Sequence, residues 1–226
     1  MYLLNLWLIP YVKALNWAVE QNVDIINMSF VLHEWDIKIH DAIHEAAKTT
    51  CLFAAASNTG GNGTRAFPAT HPDVFGIHAL DGRGEDVGGI NPPPGKHNGR
   101  WGTLGLNIPF LIKKETSYEK GTSYETSYKK GTSYATSIVA GTVANVFDHL
   151  NFLREIDKLS EDRYIQLRTW NGVNNILWLM STPCSYGPLR YVAPWHLWNC
   201  HSEGSETKIR ESEDQVLSFL LNELCR

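Results

Sequence analysis

Apolar positions along the first half of the chain change period several times, and each change marks an element. From Val12 they fall at helical spacing, with Val12, Leu15, Ala18 and Val19 on one side and Lys13, Asn16 and Glu20 on the other. Asn22 suits a left-handed C-cap, and Val23 to Phe30 then reads as a buried strand. A second helix carries Ile39, Ala42, Ile43, Ala46 and Ala47 on one face. Cys51 to Ala56 is a short apolar strand that ends in the loop-forming run Ser57-Asn58-Thr59-Gly60-Gly61. Val74 to Leu80 is another, closed by Asp81-Gly82-Arg83-Gly84. Strands apolar on both faces and alternating with helices predict an α/β fold of three layers, a largely parallel sheet flanked by helices. Sites in such sheets gather where strands end. The loops after Phe30 and after Ala56 are therefore the places to search.

The second half is less regular. Residues 92–100 form a loop that is stiff, then flexible, from three prolines followed by Gly95 and Gly99. The unit T-S-Y then occurs four times between Glu115 and Tyr134, and G-T-S-Y twice, ten residues apart. That short tandem duplication predicts a low-complexity surface loop or insertion over 112–130. After Leu150 the chain turns charged and helical to about Met180, and Leu189 to Trp195 reads as an extended closing segment. Residues 1–200 are expected to form one domain, and 201–226 an acidic linker with a short C-terminal helix.

Composition narrows the function classes. The 226 residues are 43% hydrophobic and 19% charged, which suits a globular domain with a sizeable core. A net charge of −4 with the signs interspersed gives no nucleic-acid signature. Cys51, Cys184, Cys200 and Cys225 lack the C-x-x-C spacing of zinc sites, and Cys51 reads as a buried free thiol. The apolar opening from Met1 to Val12 is broken by Asn5 and Pro10 and has no basic lead or cleavage site, so neither a signal peptide nor a membrane span is expected. An intracellular, cytoplasmic location is the expectation.

One stretch carries candidate chemistry: Gly131-Thr132-Ser133-Tyr134-Ala135-Thr136-Ser137-Ile138-Val139-Ala140-Gly141. It places a serine at the start of a helix built from small residues. The first turn of a helix offers unpaired N–H groups and partial positive charge, where a developing negative charge is stabilised. On spacing alone, the better reading is that Ser133 or Thr136 caps a buried helix.

The stretch resembles the nucleophile block G-T-S-x-A-T-P-x-V-A-G of subtilisin-like serine peptidases (peptidase S8), departing where Ser137 replaces the usual proline. Further blocks follow family order. Ala14 to Ser29 is similar to the helix and strand after the family's histidine helix. Ala54-Ala55-Ala56-Ser57-Asn58 resembles its oxyanion-asparagine block, with Ser57 in place of glycine, and Phe67-Pro68-Ala69 followed by Val74 to Asp81 resembles a later strand. The resemblance implies a serine endopeptidase acting on polypeptide substrates, with Ser133 as nucleophile and Asn58 as oxyanion donor. It places the substrate cleft between Ser29, Phe30, Val31 and Ala55, Ala56, Ser57. Val31 stands near a position where glycine is usual. Only Ser133 has the A-T-x-x-V-A-G continuation, so Ser123 in the earlier G-T-S-Y is a duplicated decoy.

The family's H-G-T histidine motif is absent from the sequence, and the resemblance begins after the segment that carries it. Asp81-Gly82-Arg83-Gly84 imitates an aspartate motif but follows Asn58, where a structural turn is the better reading. The expectation is an N-terminally incomplete catalytic domain, inactive as an isolated chain, whose partner would be a missing N-terminal segment or another chain. The alternative is a degenerate domain that binds a peptide or partner without catalysis. A rival chemistry lies in His40-Asp41-Ala42-Ile43-His44, two histidines at i and i+4 as in zinc peptidases. Both fall beside Asp41, Glu45 and Lys48 on a solvated face, so neither a metal nor a cofactor is expected.

Overall fold

Alternate side chains of one strand show how the layers are built. In the computed structural model, Cys51–Ala55 (β2) is buried at every residue, with Cys51 and Phe53 turned to one core and Leu52 and Ala54 to the other. The strand is therefore covered on both faces, as its unbroken apolar run requires. Residues 9–32, 36–86, 89–95, 99–115, 122–185 and 187–195 are described.

The chain begins with a helix at Ile9–Glu20 (α1), a strand at Ile25–Met28 (β1) and a helix at Ile37–Ala47 (α2). After β2 come strands Phe75–Leu80 (β3) and Trp101–Leu104 (β4), then a pair at Ile108–Glu115 (β5) and Thr122–Lys129 (β6). Helices Thr132–Glu155 (α3), Glu161–Arg168 (α4) and Trp170–Leu179 (α5) follow, and Ser181–Pro183 (β7) and Arg190–Val192 (β8) close the described fold. The main sheet has the order β1-β2-β3-β4-β8-β7, parallel except where β7 meets β8. One face packs on α1 and α2 through Leu15, Ile39, Ile43 and Ala46; the other packs on α3 to α5 through Val139, Val143, Leu150 and Ile176. The expected α/β three-layer architecture is the observed one.

Local signals set several boundaries. The Asp36 side chain caps α2 by accepting from the Lys38 N–H at 2.8 Å, and Asn22 takes the left-handed conformation (φ 55°) after α1. Asp81 Oδ1 accepts from the N–H groups of Arg83 and Glu85, both at 2.8 Å, which makes that segment a structural turn. Cys51 is a buried free thiol whose pKa is pushed up by burial.

Two expectations are corrected. The strand predicted over Val23 to Phe30 is only Ile25–Met28, and it is half-exposed because it forms an edge of the sheet. The repeat region predicted as a loop over 112–130 contributes most of the antiparallel hairpin β5–β6, with Ile108 opposite Lys129 and Glu115 opposite Thr122. Its threonines and tyrosines favour pleated backbone whatever the sequence complexity. The linker and helix expected over 201–226 lie outside the described residues, as do Cys200 and Cys225.

Two buried histidines are expected to make this fold acid-sensitive. His78 on β3 is fully buried, its Nδ1 is 3.3 Å from the Trp101 carbonyl, and burial pulls its pKa down to about 4. His71 is lowered in the same direction, by burial first and then by neighbouring His40, and its Nδ1 accepts the Asp73 N–H at 3.1 Å as a neutral imidazole must. Between about pH 6.5 and 4 the unfolded chain binds protons that the folded chain refuses, so stability is full above 6.5 and falls as the pH drops. At about 1.4 kcal/mol per pH unit, His78 alone accounts for a loss on the order of 3 kcal/mol. Urea titrations from pH 7 to 4 are expected to show this slope, and His78→Asn, less stable at pH 7, to show a shallower one.

Candidate active site

Close backbone contact places the start of α3 at the C-terminal ends of the strands. Gly105, just beyond β4, donates its N–H to the Leu80 carbonyl at 2.8 Å, and its own carbonyl accepts from the Gly131 N–H at 2.9 Å. A Cβ on Gly105 would lie 2.5 Å from the Ala79 Cβ, so only glycine allows the approach. Gly131, the N-cap of α3, has φ 152° and offers no side chain for capping. Asn58 supplies the cap from another loop: its Oδ1 accepts the Thr132 N–H at 2.9 Å. That acceptor role leaves the Asn58 Nδ2 group as a donor at an exposed position beside Gly131.

Ser133 follows in the first turn of α3 and is half-buried. Its hydroxyl donates to the Ser29 carbonyl at 3.3 Å, and the Ser29 hydroxyl reaches back to the Ser133 carbonyl at 3.2 Å. Ser29 Oγ also lies 3.1 Å from Asn27 Oδ1, while Asn27 Nδ2 donates to Ser137 Oγ at 2.9 Å. The Ser137 hydroxyl donates in turn to the Ser133 carbonyl at 3.0 Å. Among the described residues, no imidazole or carboxylate is hydrogen-bonded to the Ser133 hydroxyl. Asn27 and Ser137 were not singled out by sequence as partners. The only signal was a polar residue inside an apolar strand and a serine where proline is usual.

The two segments expected to line a cleft differ in availability. Phe30 and Val31 are partly buried, Phe30 against Tyr11 with ring centroids 4.9 Å apart, and Leu32 donates to the Phe67 carbonyl at 2.7 Å. Ala55 and Ala56 are buried. Both backbone groups of Ala56 are already used, its N–H by the Ile77 carbonyl at 3.0 Å and its carbonyl by the Ala66 N–H at 3.1 Å. Ser57 is buried with φ 111°, where a Cβ is strained, and its hydroxyl donates to Thr59 Oγ1 at 3.3 Å. Ser123 sits on β6 opposite Lys114, away from any helix start.

The paired histidines of α2 have other partners. His44 Nδ1 is 2.7 Å from Asp73 Oδ2, and the His40 ring packs on His71 with centroids 4.4 Å apart. His40 is thus half-buried rather than on a solvated face, because the turn before β3 covers it. No metal-holding group of three or more histidine, cysteine or carboxylate side chains occurs among the described residues. No described helix is long and apolar enough to cross a membrane.

At this site the ends of a parallel sheet receive a glycine-led helix, which Asn58 caps beside Ser133. Residues 5–156 match the subtilase family (peptidase S8), and the chain belongs to that family of serine peptidases. The fold is similar to that of the protease domain of PatA, solved as a point mutant, at TM-score 0.62 and 20% identity over 92% of this chain and 65% of that one. It is also similar to the prenylagaramide maturation protease PagA, at TM-score 0.58 and 21% identity over 92% and 67%. A third likeness is to the PatG macrocyclase in complex with peptide, at TM-score 0.53 and 16% identity over 92% and 56%. The chain thus spans about two thirds of the length of the first two, 65% and 67%. No curated protein matches it by sequence.

The strain at Ser57 can be measured. Ser57→Gly removes a Cβ from a positive-φ position and is expected to stabilise the fold by about 1 kcal/mol, net of glycine's greater unfolded-state freedom. Thermal unfolding should register a rise of about 2–4 °C.

Proposed function

We propose that the chain carries the nucleophile and oxyanion half of a serine endopeptidase, with Ser133 as nucleophile and Asn58 as oxyanion donor, and that it is inactive as an isolated chain. The observation that supports this reading is the pair of contacts at one helix start: Asn58 Oδ1 on the Thr132 N–H, and the Ser133 hydroxyl on the Ser29 carbonyl. The first contact orients a side-chain amide whose remaining N–H bonds can face an oxygen held near Ser133. First-turn N–H groups of α3 add a second source of donors. In subtilisin itself, loss of the oxyanion asparagine costs roughly 100- to 1,000-fold in rate.

The second contact supports the proposed inactivity. A serine hydroxyl attacks a peptide carbonyl when a base takes its proton. An amide carbonyl accepts a hydrogen bond and does not take the proton. The substrate, a polypeptide, would lie along Ser29, Phe30 and Val31, since the backbone of Ala56 is committed inside the fold. The same surface would serve the alternative, a domain that binds a peptide or a partner chain without cleaving it. A cytoplasmic location belongs to this proposal as well.

A fluorophosphonate probe tests the reading directly. The isolated chain is expected to remain unlabelled by intact mass after prolonged incubation. An adduct that disappears in Ser133→Ala would show that a base reaches the hydroxyl and would overturn the inactive assignment.

A further inference from the structure

The duplicated T-S-Y segment has no part in the site, and the structure gives it a definite form. The β5–β6 ribbon is a two-stranded sheet with no third strand among the described residues. It exposes large apolar side chains: Phe110 at 52%, Leu111 at 67%, Ile112 at 40% and Tyr128 at 66%. Two-stranded ribbons are marginal alone in water, and an unpaired strand edge is a template for another strand. We propose that the outer edge of β6 pairs antiparallel with the same edge of a second copy of this chain, centred on Ser127.

The sequence of β6 selects that occupant. Around Ser127 the order is Glu125-Thr126-Ser127-Tyr128-Lys129, with opposite charges two residues to either side of the centre. Antiparallel self-pairing at Ser127 sets Glu125 of each copy opposite Lys129 of the other, so both ion pairs form by symmetry. Glu125 and Lys129 are both exposed. Glu125 also interacts within its own chain, and its two carboxylate oxygens leave capacity for a further cation. The same pairing sets Tyr128 opposite Thr126 of the other copy. Leu111 faces Thr126 and Pro109 faces Tyr128 across the ribbon, so these four share one face. The result is a four-stranded sheet, β5-β6-β6-β5, in which Leu111 and Tyr128 of both copies form one apolar surface. Any odd displacement from this register would break the charge match and turn the apolar faces apart.

Sedimentation velocity of the full chain at low salt, over a wide concentration range, tests the proposal. A concentration-dependent dimer is expected. Glu125→Lys or Lys129→Glu alone sets like charges opposite each other twice and should weaken the dimer roughly tenfold. The double reversal Glu125→Lys with Lys129→Glu restores the match and should recover dimerisation to within a few-fold. That recovery also shows that the ribbon still folds. Oxidation of Ser127→Cys should link the peptide carrying the substitution to its own copy, as read by mass spectrometry. A chain that stays monomeric at every concentration overturns the proposal. So does a dimer that ignores the single reversals, or one that the double reversal fails to recover, since each would place the contact elsewhere or assign the edge to another partner.

Discussion

The backbone pin at the start of α3 is the constraint on which the rest of the structure depends. The carbonyl of Gly105 holds the Gly131 N–H, and Asn58 Oδ1 holds the Thr132 N–H, so a helix of 24 residues is anchored by its first turn to two strand ends. The anchor works because bulk is missing where the segments meet. Gly105 lies against Ala79 and Ala135, and each additional methyl group there would push the helix off the sheet. Once α3 is seated, its buried stripe from Ala135 to Leu153 covers one face of β1 to β4 and leaves α1 and α2 to cover the other. Position of the serine and integrity of the larger core thus come from the same few contacts.

How much of this is legible in sequence depends on whether a feature is set locally. The periods of α1 and α2, the apolar runs of β2 and β3, and the Asp81 turn are local, and each stands where the pattern placed it. Residue type alone does not say which strand lies at an edge. Ile25 and Ile26 look like core residues, yet β1 is a half-exposed edge strand. Low complexity similarly masked the hairpin, because composition reports whether a segment needs to form a core and not whether its backbone prefers to be pleated. The helical stretch after Leu150 hides breaks after Glu155 and at Thr169, where a threonine whose hydroxyl accepts the Gly172 N–H ends α4 and starts α5. His40 departs from the solvated face expected for it for a related reason. The face it occupies on α2 is polar by pattern and is covered only because a later turn brings His71 onto it.

The site divides along the same line. Asn58 and Ser133 each sit in a short block whose neighbours fix the local backbone, and the structure brings both to the N-terminus of α3. Asn27, Ser29 and Ser137 form their links across more than 100 positions of sequence, through side chains that carry no spacing rule. Such a network is visible only after the strand and the helix have met.

That network also separates two properties that activity assays merge. The Ser133 carbonyl is held by the hydroxyls of both Ser29 and Ser137, and its own hydroxyl rests on the Ser29 carbonyl. A proline at position 137 would have neither the hydroxyl nor the N–H, so the serine here adds a bond that the usual family residue cannot make. These contacts fix where Ser133 stands and do nothing to remove its proton. In subtilisin the two contributions are unequal. Loss of the serine–histidine machinery costs about a million-fold, and the remaining site still gives roughly 1,000- to 10,000-fold over water. A scaffold can therefore hold a serine in place, capped and donor-lined, through contacts that are independent of any base. Placement is a property of the fold, whereas attack requires a proton acceptor brought to the same atom.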